Sequence, residues 1–481
     1  MDDQRFNYAD VKPLSKGDNQ LIAGYEMKEI LPKGNPSNIN WGDVLEFPIE
    51  NEVICVSKNN NILLKGYCQK KLRNPADGAD NPWVPTTGTA DLTGMVFNEN
   101  LASCMVPSVA MREGLNFLEC QNYVHKGRYA LENFINAHAS PEVKKGMNFS
   151  YYDSNNKVFM EDTFKPGNEN YDAWAKKILD DGFTFKVSPQ CFPFTFAHPT
   201  STTDVLFPNS GQEAVLQVTL EKSDQFCFFH QGTTTNNVTS PSKHLYRIVL
   251  ESVKVNLVFP RMTAQGLEII KNPRMPPLTF NGTYTLQYSQ TIPGSQPDKH
   301  FSIQEIRMPH YMLLQLYDFN YFVPDNNIKE LDRRYYTPKK FKLEDLKFKY
   351  GNRDLSYNVA NMSWKDRLSS QLRQEILKHS DIFGIKTDGS YYHDLPNYNQ
   401  PHLLISFCSN EETHELLKPV DAPFNRDEKQ TLSIGLIGNN RDNLVAGRLL
   451  VTLFYERLGY TYMVDKGIFI PPDVRASVVS S

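Results

Sequence analysis

From Ala214 to Leu220 the sequence AVLQVTL places Ala214, Leu216, Val218 and Leu220 on one face of an extended chain. LLVTLFY, from Leu449 to Tyr455, repeats the pattern in a more apolar form. In HLYRIVLESVKVNLVF, Val253, Val255, Leu257 and Phe259 alternate with Lys254, Asn256 and Val258. A period of two marks the half-buried antiparallel strand. A chain that completes one strand set near Phe259, restarts, and completes another near Ile470 is expected to form two β-sandwiches in tandem.

The rest of the pattern fills in this outline. Strands are predicted at Val44 to Ile49, Glu52 to Ser57 and Ile62 to Tyr67, the last two joined by an Asn-rich turn, KNNN. The stretch from Asn74 to Thr93 is rich in Pro, Gly and Asp and reads as a long surface loop. Two helices are expected in the first half. One spans about Gly127 to His138, with Tyr129, Phe134 and Ile135 on its apolar side. The other runs from about Glu169 to Asp181, with Asn168 as cap, Trp174 and Ile178 four apart, and Gly182 as the stop.

Further strands follow at Phe183 to Val187, Ala214 to Leu220, Gln225 to Phe229 and Leu245 to Phe259. A linker with a short helical turn then sets a boundary near Arg261. The second half restarts with Thr283 to Ser289, Phe301 to Ile306, Met312 to Tyr317 and Leu346 to Lys349. A helix from about Ser363 to His379 carries Trp364, Leu368, Leu372 and Ile376 as its apolar stripe, with Asp366 three residues past the Ser363 cap. The closing strands are His402 to Cys408, Thr431 to Ile437, Arg448 to Leu458 and Thr461 to Ile470. The domain division is therefore a polar arm (1–40), a first sandwich with two inserted helices (41–262), a second with one inserted helix (263–470) and a tail (471–481).

Composition agrees with sheet rather than bundle. The 481 residues include 29 Phe and 24 Tyr, with 40% hydrophobic and 22% charged residues, so aromatics on strands fill the interior. The net charge of −4, from 51 basic and 55 acidic residues without long single-sign runs, gives no nucleic-acid-binding surface. The local cluster Arg333, Arg334, Lys339 and Lys340 is the exception. It lies in NIKELDRRYYTPKKFKLEDLKFKYGNRD, where dense alternating charge reads as a solvated strand or an intersubunit contact. The amino terminus lacks the pattern of a secretory signal, and no apolar run approaches the roughly 20 residues of a membrane-spanning helix. Seven scattered cysteines (Cys55, Cys68, Cys104, Cys120, Cys191, Cys227 and Cys408), none spaced as CxxC, read as buried thiols. The sequons at Asn148, Asn237, Asn281 and Asn361 carry no weight without a secretory route.

No phosphate loop, dinucleotide fingerprint, zinc-protease motif or nucleophile elbow occurs at a useful position. His300, His310, His393 and His402 do not form the His-x-His strand pair of a cupin-type metal site. Adjacent carboxylates at Asp180 and Asp181, Glu344 and Asp345, and Glu411 and Glu412 are the only paired acids weighed for glycoside hydrolysis; neighbours in sequence point apart on a strand. Tyr391, Tyr392 and Tyr398 are weighed as a sugar-binding surface and as loop packing. No catalytic, cofactor-binding or metal-binding residue is assigned, and no cofactor is expected.

The order of elements resembles the double jelly-roll major capsid proteins of Polinton/Maverick elements, adintoviruses, virophages and related double-stranded DNA viruses. NYVHKGRYALENFINAHASPEVKKG (122–146) is similar to the family's helix segment, and VLFPNSGQEAVLQVTLEKSDQFCFF (205–229) to its loop-then-strand unit. YRIVLESVKVNLVFPRMTAQGLEIIKN (246–272) resembles the strand and helical linker that close the first roll. TYTLQYSQTIPGSQPDKHFSIQEI (283–306) and NLVAGRLLVTLFYERLGYTYMVDKGIFI (443–470) resemble the opening and closing of the second. An expected segment early in that roll is matched only loosely by RRYYTPKKFKLEDLKF, and the helix from Ser363 to His379 is longer than the family's.

The resemblance implies an all-β chain with a few helices, built as two tandem jelly rolls. It implies a non-enzymatic major capsid subunit forming homotrimers of nearly hexagonal outline that tile an icosahedral shell. Its partners would be further trimers and penton or minor capsid proteins, without sequence-specific nucleic-acid contact or a membrane span. Its location would be the virion, after synthesis in host cytoplasm or nucleus. The alternatives are a two-sandwich carbohydrate-binding protein, a β-sandwich glycoside hydrolase, and, within the capsid class, a penton or minor capsid protein.

Overall fold

The computed structural model describes residues 22–34, 38–50, 53–57, 59–73, 81–92, 94–97, 101–113, 116–117, 169–187, 194, 205–208, 213–230, 233–235, 238–240, 243–270, 278–309, 311–317, 343–354, 402–406, 428–438, 443–463 and 468–470. The first half contains β1 (Ile22–Ile30), β2 (Val44–Ile49), β3 (Val53–Val56), β4 (Asn61–Leu72), β5 (Val84–Pro85), β6 (Met95–Phe97), β7 (Ser108–Glu113) and β8 (Asn116–Phe117). It continues with β9 (Phe183–Val187), β10 (Val205–Pro208), β11 (Ala214–Thr219), β12 (Phe228–His230), β13 (Thr233–Thr235), β14 (Val238–Ser240) and β15 (His244–Met262). The second half contains β16 (Leu278–Ile292), β17 (Asp298–Ile306), β18 (Tyr311–Tyr317), β19 (Leu343–Tyr350), β20 (Arg353–Asp354), β21 (His402–Ser406), β22 (Gln430–Gly438), β23 (Gly447–Met463) and β24 (Ile468–Ile470).

Each half is a two-sheet sandwich. In the first, a sheet ordered β10-β3-β15-β4-β5, with β1 added to β15 and β9 to β4, faces a sheet ordered β2-β11-β7-β8. Leu45, Phe47 and Ile49, with Leu216 and Val218, meet Ile62, Leu64, Val255 and Leu257 between the sheets. The long strand β15 shows why its sequence is not one uninterrupted alternation. Its positions buried between the sheets are Tyr246, Ile248 and Leu250, then Val253, Val255, Leu257 and Phe259, while Val258 is buried on the other face with Val53 and Cys55. The register against β4 slips between Leu250 and Ser252, so Glu251 is an extra residue and the inward set changes parity there. At Gly66, opposite Leu250 and Phe183, an added Cβ would collide with the Val249 carbonyl and the Phe183 ring, so only glycine fits between β15 and β9.

The helix Glu169–Asp181 lies where it is predicted. Tyr171, Ala175, Ile178 and Leu179 turn into the core, and Trp174 packs edge-on against Phe97. Gly182 ends the helix at φ +75°, its N–H donating to the Ile178 carbonyl at 3.0 Å.

In the second sandwich, a sheet ordered β16-β23-β18-β21, with β24 on β23, faces a sheet ordered β17-β22-β19-β20. Leu286, Met312, Leu314, Val451 and Leu453 meet Ile303, Phe348, Leu432, Ile434 and Leu436. Where the chain crosses between sheets after β17, two buried tyrosines hold the corner. The Tyr350 hydroxyl shares its one proton between the carbonyls of Ile306, at 2.9 Å, and Glu428, and the Tyr455 hydroxyl donates to that of Arg307, at 3.0 Å.

Several sequence expectations are corrected. Residues 22–30, placed in a polar arm, form β1, which pairs with β15 from Ile22↔Met262 to Ile30↔Val255. IAGYEMKEI hides its strand character because the added strand leaves Tyr25 and Met27 more than half exposed. The stretch from Asn74 to Thr93 includes β5 and a single helical turn, Gly88–Asp91, with Thr86 and Asp91 buried. Gln225 to Phe229 is not one strand: a 3-10 turn at Asp224–Phe226 precedes β12. The predicted strand Arg448 to Leu458 runs on as β23 to Met463, taking in the start of the predicted strand Thr461 to Ile470, whose end is the separate β24; the register of β23 against β16 slips between Gly282 and Tyr284. The predicted helices at 127–138 and 363–379, and the Asn168 cap, lie outside the described residues.

Candidate functional site

No strand in a sandwich needs both faces apolar, yet β18 and β23 read YMLLQLY and GRLLVTLFY, as strands buried on two sides do. The inward face of their sheet carries Met312, Leu314, Leu316, Leu449, Val451 and Leu453. The opposite face carries Gln287, Leu313, Gln315, Tyr317, Leu450 and Thr452, each 0–3% exposed. Tyr317 and Leu450 belong to the same contiguous cluster as the core of the first sandwich. At the far end β24 meets β8. The second sandwich therefore seats the back of one sheet on the first.

Three side-chain hydrogen bonds lie on this seam. Gln287 Nε2 donates to Thr452 Oγ1 at 3.1 Å, Gln315 Nε2 to the Tyr317 hydroxyl at 3.3 Å, and the Arg448 guanidinium to Ser289 Oγ at 3.0 Å.

A second polar centre ties β4, β15 and the Gly88–Asp91 turn together. Asp91 is 1% exposed. One carboxylate oxygen accepts from Lys70 Nζ and from Thr87 N–H, both at 2.7 Å, and the other accepts from the Tyr246 hydroxyl at 3.1 Å. On the outer face of the same sheet, Trp83 lies beside both the Arg247 guanidinium and the Lys71 ammonium, 4.3 and 5.1 Å from its ring centre. Arg247 also donates twice to Gln69 Oε1. Burial pushes the Cys68 thiol far above its usual pKa, with Asp224 and Asp91 adding to the effect, so it is an inert core group.

A third feature sits on the edge of β15. Ile248 presents its peptide away from β4; its N–H donates to Asp224 Oδ2 at 2.8 Å and its carbonyl accepts from the Trp41 indole at 2.9 Å. Burial raises the Asp224 carboxyl to about 6, against the opposing pull of the Ile248 N–H, the Ser223 hydroxyl and Arg247.

None of this is a catalytic constellation. Asp180 accepts from the Gly88 N–H, while Asp181 is solvent-exposed at the helix end. His300 is exposed, 3.3 Å from Asp298. The side chains of Glu344, Asp345 and His402 lie outside the described residues, as do His310, His393, Glu411, Glu412, Tyr391, Tyr392, Tyr398 and the cluster Arg333, Arg334, Lys339 and Lys340. Among the described residues no three His, Cys, Asp or Glu side chains are grouped to hold a metal ion. Cys55, Cys68 and Cys227 are buried thiols. Among the described residues no helix is long and apolar enough to cross a membrane. Sequence reading missed Asp91, Asp224 and Trp41, which take Lys70, Ile248 and Ile248 as partners 21, 24 and 207 residues away.

No protein-family model and no curated protein sequence matches the chain. Its fold does match solved structures. A chain of the Sputnik virophage, from a cryo-EM structure, aligns with a TM-score of 0.54 at 10% identity, covering 96% of this chain and 90% of that one. The major capsid protein of mavirus aligns with a TM-score of 0.53 at 9% identity, covering 98% and 95%. The shared architecture is the double jelly roll.

Proposed function

We propose that this double jelly roll is the major capsid subunit of a double-stranded DNA virus or a virus-like element, and that its activity is assembly. The observation that carries the reading is the seam. Two sandwiches joined through buried Tyr317 and Leu450 form a single two-roll block. Three such blocks around a three-fold axis present six sandwiches and a nearly hexagonal outline, which tiles a flat facet. Closed symmetric association of identical chains is the ordinary route to such an oligomer. The likeness to the mavirus major capsid protein over nearly all of both chains supports the same reading.

The subunit would work without catalysis or cofactor. Its partners would be copies of itself and, at vertices, penton or minor capsid proteins, and its place would be the virion. The domain limits form part of the proposal: a first roll over 41–262 that also takes in β1, a second over 263–470, and a tail over 471–481. The test is reconstitution. Purified chain concentrated at neutral pH should yield trimers that go on to form sheets or shells; a chain that stays monomeric at every concentration overturns the reading.

A further inference from the structure

Sheet edges are templates for unwanted pairing, and folded proteins close them. β15 has such an edge. On the side away from β4, β1 covers it only from Val255 onward, and among the described residues no strand pairs with the stretch before that. Two side chains close the gap at Ile248: the Asp224 carboxylate takes the N–H and the Trp41 indole takes the carbonyl. Both arrive on one clasp. The Gly42 N–H donates to the Glu221 carbonyl at 2.7 Å and the Leu220 N–H to the Asp43 carbonyl at 2.9 Å, binding the Trp41 segment to the turn that carries Asp224. That turn is short, a single 3-10 turn in which Ser223 Oγ accepts from the Gln225 N–H and the Cys227 N–H returns to the Asp224 carbonyl.

The charge around Asp224 is unbalanced. Among the described residues no lysine or arginine forms an ion pair with it. From β15, Arg247 lies next to its acceptor bond, but its guanidinium is committed to Gln69 and the Trp83 ring on the outer face. From β4 comes the neutral Cys68 thiol, and from the Gly88–Asp91 turn a second carboxylate, Asp91, already bound to Lys70. The flanking Glu221 side chain receives the Lys222 N–H. Of the other elements that meet the turn, β12 bears His230 and the helix Leu101–Met105 bears Cys104, whose side chains lie outside the described residues. Ionised, Asp224 is a half-buried carboxylate whose hydrogen bonds and the pull of Arg247 offset only part of its desolvation; protonated, it loses that penalty and keeps an oxygen for Ile248.

We infer that the Asp224 turn and Trp41 form a pH-operated clasp on the open edge of β15, closed under acidic conditions and loosened as the pH rises through the mildly acidic range. The sign follows from linkage. A carboxyl whose pKa is about 6 when closed and near 3.9 when opened to water favours the closed state fully below the lower value. That advantage is lost as pH rises through the upper one. Between pH 5 and pH 8 the equilibrium for opening should rise about tenfold. The inference stands apart from the capsid reading, since it concerns one chain.

Hydrogen exchange of the intact protein, corrected for intrinsic exchange at each pH, reads the opening directly in peptides covering 220–228 and 244–250. A peptide covering β22, residues 430–438, is the internal control. The expected result is an opening equilibrium about tenfold larger at pH 8 than at pH 5 in the first two peptides and unchanged in the third. Asp224→Asn, which keeps an acceptor oxygen but cannot ionise, should remove the pH dependence and thereby exclude His230 as its source. A flat profile in the wild type, an equal rise in the control, or a rise that persists in Asp224→Asn overturns the inference. Where Asp224→Asn does not fold, the wild-type comparison of the three peptides decides on its own.

Discussion

Replacing Leu453 with aspartate puts a charge where the second sandwich is driest. Leu453 is fully buried on β23, opposite Leu286 of β16 on one side and Met312 of β18 on the other, and it faces the sheet that contains Phe348 and Ile434. Loss of a buried leucine side chain alone costs about 2–5 kcal/mol. An unpaired carboxylate in the same place adds several kcal/mol more, whether it stays ionised or takes up a proton. Against a total stability of about 5–15 kcal/mol for a folded domain, the combined cost removes most or all of the margin. Leu453→Asp is therefore expected to give aggregated or protease-sensitive chain and no assembled particle. Leu453→Ala should remain folded with its urea transition lowered by about 2–5 kcal/mol. Gln304→Asp, at an exposed position on edge strand β17, should stay within about 0.5 kcal/mol of wild type. Urea transitions and limited proteolysis of the three variants provide the comparison. A native transition for Leu453→Asp would refute the burial of that face of β23, and with it the two-sheet packing of the second roll.

Other substitutions probe the polar ties. Asp91→Ala strands Lys70 and the Tyr246 hydroxyl in a buried site and should cost about 3–5 kcal/mol in the urea transition; an effect below about 1 kcal/mol would show the network to be solvated. Tyr350→Phe removes the hydroxyl that serves the Ile306 and Glu428 carbonyls at the sheet crossing and should cost about 1–3 kcal/mol by the same measurement. Glu305 sits at φ +52°, in the register slip between Ile303 and Ile306. Glu305→Gly should therefore raise the melting midpoint, by up to about 1 kcal/mol of relieved strain, and a lowered midpoint would contradict the left-handed geometry.

What the sequence disclosed depended on how far each signal reaches. Alternation is local, so β2, β9 and β11 could be placed within a residue of their ends, and the helix Glu169–Asp181 was bounded by its own stop glycine. LLVTLFY reads as a half-buried strand like AVLQVTL, whereas the structure buries both its faces, and what covers the second is a tertiary fact. β1 was hidden because it is added to a sheet with its large apolar residues half in water. The predicted strand ends at Leu458, whereas in the structure β23 runs on through Gly459 to Met463 along β16. Asp91 and Asp224 gave no signal at all. A lone aspartate in a Pro/Gly-rich stretch or beside a serine is the ordinary composition of a loop, and only the approach of Lys70, Tyr246 and Ile248 gives these two a structural role.

The most direct test of the assembly reading is the solution mass of the purified chain by light scattering, with negative-stain images of the same sample. Three chains of 55.2 kDa give a particle of about 166 kDa, and the account predicts that mass together with a hexagonal outline. A stable 55.2 kDa monomer that does not associate as concentration rises would contradict it.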